Sequence, residues 1–155
     1  MIEKIVSGGQ TGVDQAGLDA AIEVGLDHGG WCPLGRICED GVIPEKYRLK
    51  ETDSQKYKKR TEKNVIDSDG TLILYRNKLS GGTAFTLRMA QKHDRPFLLF
   101  DLEKRDEPDI IQSWLEDAAI RILNVAGPRE SSSAGIRDQA FHLLTRILNQ
   151  SAEVE

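Results

Sequence analysis

The residues best suited to chemistry lie in three short glycine-containing segments. Ser7-Gly8-Gly9-Gln10-Thr11-Gly12 sits between a β-branched run and a helical apolar pattern. Backbone N–H groups and the helix dipole would converge there and favour a negative group. Ser80-Gly81-Gly82-Thr83 offers the same device after a second apolar run, with Thr83 as a candidate helix cap. Gly127-Pro128-Arg129-Glu130-Ser131 follows a third. Arg129 could make a bidentate contact to an oxyanion, or it could simply pair with Glu130 at a helix entrance. Any one such turn is an ordinary strand-to-helix connection. Three together point to a ligand carrying phosphate or another oxyanion. The glycine spacing is not that of a G-x-G-x-x-G fingerprint, and no Lys follows Gly12 as it would in a Walker A loop.

Acid–base candidates are fewer. Asp14 falls in the first turn of the first expected helix, where the macrodipole alone favours it. Arg36, Glu39 and Asp40 stand among glycines in a long loop, where they could bind polar ring edges, transfer protons or be plain surface charges. Tyr57, Arg60, Thr61 and Asn64 recur at i, i+3, i+4 and i+7 and share one helical face, which could add an anion clamp and an amide contact. Lys58, Lys59 and Lys63 are expected on the solvated side. Trp31 could cover a heterocycle or anchor a local core. His28, Cys32 and Cys38 supply at most three metal ligands in no recognised zinc pattern, so no metal is expected. His93 and His142 have no triad-like spacing, and there is no G-x-S-x-G elbow.

These residues need a scaffold, and the apolar patterning supplies one. Runs at 2–6, 70–75, 96–100 and 120–125 read as strands, the later ones apolar throughout, as in a sheet covered on both faces. Helical spacing is found at 13–24, 55–67, 83–93, 110–118 and 136–147. Residues 26–52 lack periodicity and are expected to form a long loop with at most one short strand. The alternation predicts an α/β, three-layer, doubly wound and mainly parallel sheet of Rossmann-like type. Ligands of such sheets bind outside the carboxyl ends of the strands, where three of the four expected strands end in the glycine segments. The expected organisation is one ligand-binding domain over 1–150, with a frayed tail at 151–155.

Size and charge agree with one soluble domain. The 155 residues would bury about 69% of their unfolded surface. A net charge of −4 gives no global attraction to nucleic acid or an anionic membrane. No apolar run approaches the ~20 residues of a membrane span. Two cysteines and the start MIEKIVSGGQ fit neither a disulfide framework nor a secretory leader, so a cytoplasmic location is expected.

The ordered set Gly8-Gly9-Gln10-Thr11-Gly12-Val13-Asp14, Gly35-Arg36, Glu39-Asp40-Gly41, Tyr57, Arg60-Thr61, Asn64-Val65, Ser68-Asp69-Gly70-Thr71, Ser80-Gly81-Gly82-Thr83 and Asn124 through Ser131 resembles the molybdenum cofactor carrier family over nearly the whole chain. That family looks like a circularly permuted relative of the "lysine decarboxylase-like" phosphoribohydrolases and of nucleotide-ligand sensors. The resemblance implies a homo-oligomer, dimer or tetramer, that holds molybdopterin with its phosphate and molybdenum oxyanion, with molybdoenzymes as possible partners. It implies contacts from Gly8 through Gly12, Asp14, Arg36, Ser80 through Thr83, Gly127, Arg129 and Ser131. The enzymatic relatives carry a P-G-G-x-G-T-x-x-E loop, whereas Ser80-Gly81-Gly82-Thr83-Ala84-Phe85-Thr86 has no glutamate. A nucleotide or NAD-derived-ligand hydrolase would then need Asp14, Glu39 or Asp40 as its acid or base.

Overall fold

The computed structural model describes residues 1–105 and 107–153, with side chains described up to residue 150 apart from residue 106. A central sheet is built from β1 (Lys4–Val6), β2 (Asp27–Gly29), β7 (Gly70–Tyr75), β8 (Phe97–Asp101) and β9 (Ile122–Ala126). Its order is β2-β1-β9-β7-β8 and every pairing is parallel. Between these strands run α1 (Val13–Val24), α2 (Tyr57–Asp67), α3 (Gly81–Lys92), α4 (Asp109–Asp117) and α5 (Ile136–Glu153). α1 packs against α5, and with α4 they bury the main core against one sheet face, while α2 and α3 pack together on the other. The result is the α/β, three-layer, Rossmann-like arrangement. Of the tail expected to fray, residues 154 and 155 lie outside the described residues.

The core follows from the apolar runs. Leu72, Ile73 and Leu74 of β7 are fully buried, as are Leu123 and Val125 of β9. The small face of α1 lets the helix approach closely, since a Cβ on Gly17 would lie 3.0 Å from Val125. β8 departs from the expected strand covered on both faces. It ends the sheet, so Phe97 and Leu98 are half-buried and Leu99 is exposed.

The expectation of a loop with at most one strand over 26–52 is corrected. This stretch holds β2, β3 (Trp31–Cys32), β4 (Ile37–Cys38), β5 (Gly41–Val42) and β6 (Lys50–Glu51). Elements of two or three residues are too short to show a period, and β2 is a polar edge strand with no apolar run. The stretch also has its own core, in which Cys32, Cys38, Ile43 and Tyr47 pack on Leu18 of α1.

Because β9 returns between β1 and β7, the carboxyl ends of these three strands meet in the middle of the sheet. The segments that follow them are the three glycine segments singled out above.

Candidate functional site

A cleft of about 940 Å³ opens over the carboxyl ends of β1, β9 and β7. The turn after β1 contributes Gly8, Gln10 and Asp14, and the segment before α3 contributes Ser80, Gly81, Gly82 and Thr83. Gly127, Arg129 and Ser131 line it from beyond β9, and α2 closes one side with Tyr57, Arg60, Thr61 and Asn64. The spacing of those four residues on one helical face is what brings them to the cleft together.

The cleft floor holds a buried ion pair. An Arg60 guanidinium nitrogen lies 3.7 Å from an Asp14 carboxylate oxygen and donates to the Gly8 carbonyl at 2.5 Å. Burial pushes the Asp14 carboxyl up to about 6, even though Arg60 and the amides of Gln10 and Gly8 favour its charged form. The guanidinium is close enough for the carboxyl to sense it, but its pull toward the charged form is smaller than the opposing effect of burial. Asn124 adds a second buried polar contact, donating to the Thr71 hydroxyl at 3.2 Å. Sequence reasoning left Asn124 and Thr71 without a role, although each interrupts an apolar strand run with a polar side chain.

The α3 end of the cleft is open. Thr83 and Ala84 direct their N–H groups back to the Ser80 carbonyl. The Gly81 and Gly82 N–H groups have no intrahelical acceptor. A Cβ added at either glycine would meet nothing within 4 Å. Packing therefore does not require glycine at these two positions, although the φ of +52° at Gly81 favours it there, and their lack of side chain leaves the helix N-terminus bare to the cleft.

The lining carries five cations, Lys56, Lys58, Arg60, Arg88 and Arg129, against the single acid Asp14. Lys58 is exposed, as expected, and it also lines the cleft, 5.5 Å from the Phe85 ring centre. Arg88 approaches the same ring at 5.5 Å, while Arg60 and Arg129 approach Tyr57 at 5.1 and 5.9 Å. Arg129 is not paired with Glu130. The Glu130 carboxylate instead accepts the N–H groups of Gly135 and Arg137 at the start of α5, 2.6 and 3.0 Å away. Among the described residues, Arg129 forms no ion pair.

Six of the expected site residues are not part of the cleft lining. Gly9 faces Ile43 and Leu49, and Gly12 packs against the backbone of 128–130. The Thr11 N–H is taken by the Gln10 side chain, and its hydroxyl donates to Glu39. Arg36 gives its guanidinium to the carbonyls of Ile43, Pro44 and Tyr47, capping the folded excursion from within. Glu39 is a latch, accepting from Thr11 and from both the hydroxyl and N–H of Ser131. Burial opposes its charge, but those donors together hold its carboxyl below the usual range. Asp40 is exposed. Of the first glycine segment, Gly8 and Gln10 thus face the cleft while Gly9, Thr11 and Gly12 pack behind it, and the buried Gln10 Nε2 donor has no partner among the described residues.

Trp31 covers no ligand surface in the cleft. Its indole N–H donates to Asp67 at 2.8 Å, and its ring carries Lys63 at 4.2 Å. Asn64 reaches the cleft, but its amide pairs with both backbone groups of Trp31 and so fastens α2 to β3. His28 accepts the Arg48 N–H, and both cysteines are buried free thiols. Among the described residues no cluster of His, Cys, Asp and Glu could hold a metal ion, and no helix is long and apolar enough to cross a membrane.

The family described as circularly permutated YpsA SLOG matches residues 5–148 of the chain. The fold is also similar to a crystal structure of a "putative molybdenum carrier protein" from Syntrophus aciditrophicus SB. The two are 45% identical, with a TM-score of 0.93 and 95% of each chain covered. No curated protein matches the sequence.

Proposed function

Because the chain belongs to the circularly permutated YpsA SLOG family, we propose that it is a ligand carrier whose cleft holds a phosphorylated heterocycle, the molybdopterin form of the molybdenum cofactor. The observation that carries this reading is electrostatic. A chain of net charge −4 gathers five cations and one partly protonated acid around a single cleft. Low-dielectric walls focus such a field on an anionic ligand. The name of the similar crystal structure supports a molybdenum-related cargo.

In this reading the phosphate lies on the open N-terminus of α3, against the Gly81 and Gly82 N–H groups and the Thr83 side chain. Arg129 and Ser131 close over it, and Arg60 faces the other anionic group of the cargo beside Gly8, Gln10 and Asp14. Gly9, Thr11, Gly12 and Arg36 act through the shape of the cleft alone. A carrier must release its cargo intact, so the expected partners are molybdoenzymes, with the chain itself acting as a homo-oligomer.

The test is anaerobic incubation with purified molybdopterin cofactor, molybdate, AMP, ADP-ribose and NAD, followed by thermal unfolding and mass analysis of what stays bound. At a hundredfold excess over Kd, binding contributes about 2.7 kcal/mol. Stabilisation by the intact pterin, weakened about tenfold in affinity by Arg129→Gln, is expected. Stabilisation by nucleotides alone, or recovery of a cleaved pterin, overturns the reading.

One observation favours a second reading. Among the described residues Asp14 is the only carboxyl lining the cleft, and a value of about 6 suits proton transfer near neutral pH. A phosphoribohydrolase-like activity would rest on it alone, because Glu39 and Asp40 lie outside the cleft and no glutamate follows Thr83. Release of free base from nucleoside monophosphates, abolished by Asp14→Asn, would establish that activity.

A further inference from the structure

Glu39 and Asp40 form the turn between β4 and β5, and Glu39 ties that hairpin to two segments of the cleft. Its carboxylate accepts the Ser131 N–H at 3.2 Å and the hydroxyls of Ser131 and Thr11. Its own N–H donates at 2.9 Å to the Gln10 side-chain carbonyl, which also takes the Thr11 N–H. Little else fastens the tip. Val42 is 69% exposed, and a Cβ on Gly41 would meet nothing within 4 Å. Arg36 anchors only the base of the hairpin, through the carbonyls of Ile43, Pro44 and Tyr47.

Two of these partners belong to the cleft. Ser131 lines it, and a hydroxyl with one proton cannot donate to Glu39 and to a bound anion at once. Gln10 lines it too and is 6% exposed, and its Nε2 is the one buried side-chain donor without a partner among the described residues. An orphaned buried donor is costly, and an acceptor arriving in the cleft would satisfy it. Glu39 stays charged at neutral pH, because its donors hold the carboxyl below the usual range. A ligand anion at Ser131 therefore meets a like charge already in place. We propose that Glu39 is an internal anion which the ligand displaces: an oxyanion accepts from Ser131 and from the Gln10 amide, the carboxylate withdraws, and the 39–42 tip is released. Occupancy of the cleft is thereby passed to a hairpin on the protein surface. This inference rests on the anion-cleft reading above and adds a ligand-driven movement to it.

AMP and molybdopterin, both phosphorylated heterocycles, serve as probes in calorimetry at fixed ionic strength and in hydrogen exchange read by mass spectrometry. Amides of 37–43 are expected to exchange faster when a probe binds. Glu39→Ala should bind the same probe about fivefold more tightly, because no latch has to be broken, and should show the faster exchange without a probe. Glu39→Gln, which keeps the shape of the side chain, should shift affinity in the same direction. Asp40→Asn removes the same charge from the neighbouring exposed residue and should leave affinity within about twofold. Affinity unchanged or lowered in both Glu39 variants, a gain matched by Asp40→Asn, or exchange at 37–43 that fails to quicken on binding overturns the inference and leaves the carrier reading standing. If neither probe binds the parent or the Glu39 variants, the anion-cleft reading fails and this inference falls with it.

Discussion

Replacing Asp14 with asparagine should change the pH dependence of stability more than stability itself. The carboxyl has an ordinary value of 3.8 and a folded value of about 6 because burial disfavours its charge. Between those values the native state binds the proton that the unfolded chain has released, so stability falls as pH rises. At ~1.4 kcal/mol per pH unit in the middle of the range, the loss sums to about 2.4 kcal/mol between pH 4 and 7. An amide at this position has no proton to release. The variant should therefore gain about 2.4 kcal/mol over the parent across that window, whatever its offset at pH 4. Other carboxylates act with the opposite sign. Burial opposes the charge on Glu39, Asp19 and Asp101, but hydrogen bonds hold all three below their ordinary values, and the stability they give is lost as pH falls. They are common to both proteins and cancel in the difference. Urea unfolding at half-unit steps from pH 4.5 to 8 measures that difference directly. A flat difference would show that Asp14 does not titrate in this range, and the buried Asp14–Arg60 pair would then have to be charged throughout.

The two kinds of glycine should respond in opposite ways. Gly12→Ala meets a φ of +79° and places a Cβ against the Pro128 carbonyl and 2.8 Å from the Glu130 nitrogen. It should cost at least about 2 kcal/mol in urea unfolding. Gly82→Ala, with open space around the Cβ, should add up to about 1 kcal/mol through helix propensity while weakening phosphate affinity in calorimetry. Glu39→Gln should lose about 1 kcal/mol as the latch to Thr11 and Ser131 slackens. Any turnover should persist in that variant, because Glu39 does not line the cleft.

The elements legible in the sequence were those whose burial imposes a period. β7 reads as an apolar run because both faces are covered, and α4 shows its inward face through Ile111 and Leu115. The position of β9 between β1 and β7 was not legible, since it depends on pairings between residues as far apart as Lys4 and Ile122. Nor was β2, whose Asp27-His28-Gly29 has the composition of a turn. At the site, the helical spacing of Tyr57 and Arg60 pointed correctly to one face. Lys58 was missed because a long side chain next to that face can reach round into the cleft. Gly12 shows the opposite error. A glycine demanded by close backbone approach looks the same in sequence as one demanded by a ligand, and only the neighbouring atoms separate the two cases.

The positive cleft of an acidic chain arises from how the nearby acids are employed. Glu130 adjoins Arg129 in sequence but is committed to the N-terminus of α5, where two backbone N–H groups hold it. Glu39 is close enough to sense Arg129, yet Thr11 and Ser131 hold its oxygens. Asp19 is taken by Arg137 and the Tyr47 hydroxyl, and Asp67 by the Trp31 indole. Each of these carboxylates meets a structural need that a free acid beside the cleft would not. Among the described residues, the cleft cations Lys58, Arg88 and Arg129 consequently form no ion pair, and the one carboxylate paired with Arg60 is Asp14. Because Asp14 sheds its charge near pH 6, an anion bound beside it should raise its proton affinity further and draw in a proton on binding. Affinity would then fall as pH rises above 6, and Asp14→Asn would make it insensitive to pH in that range.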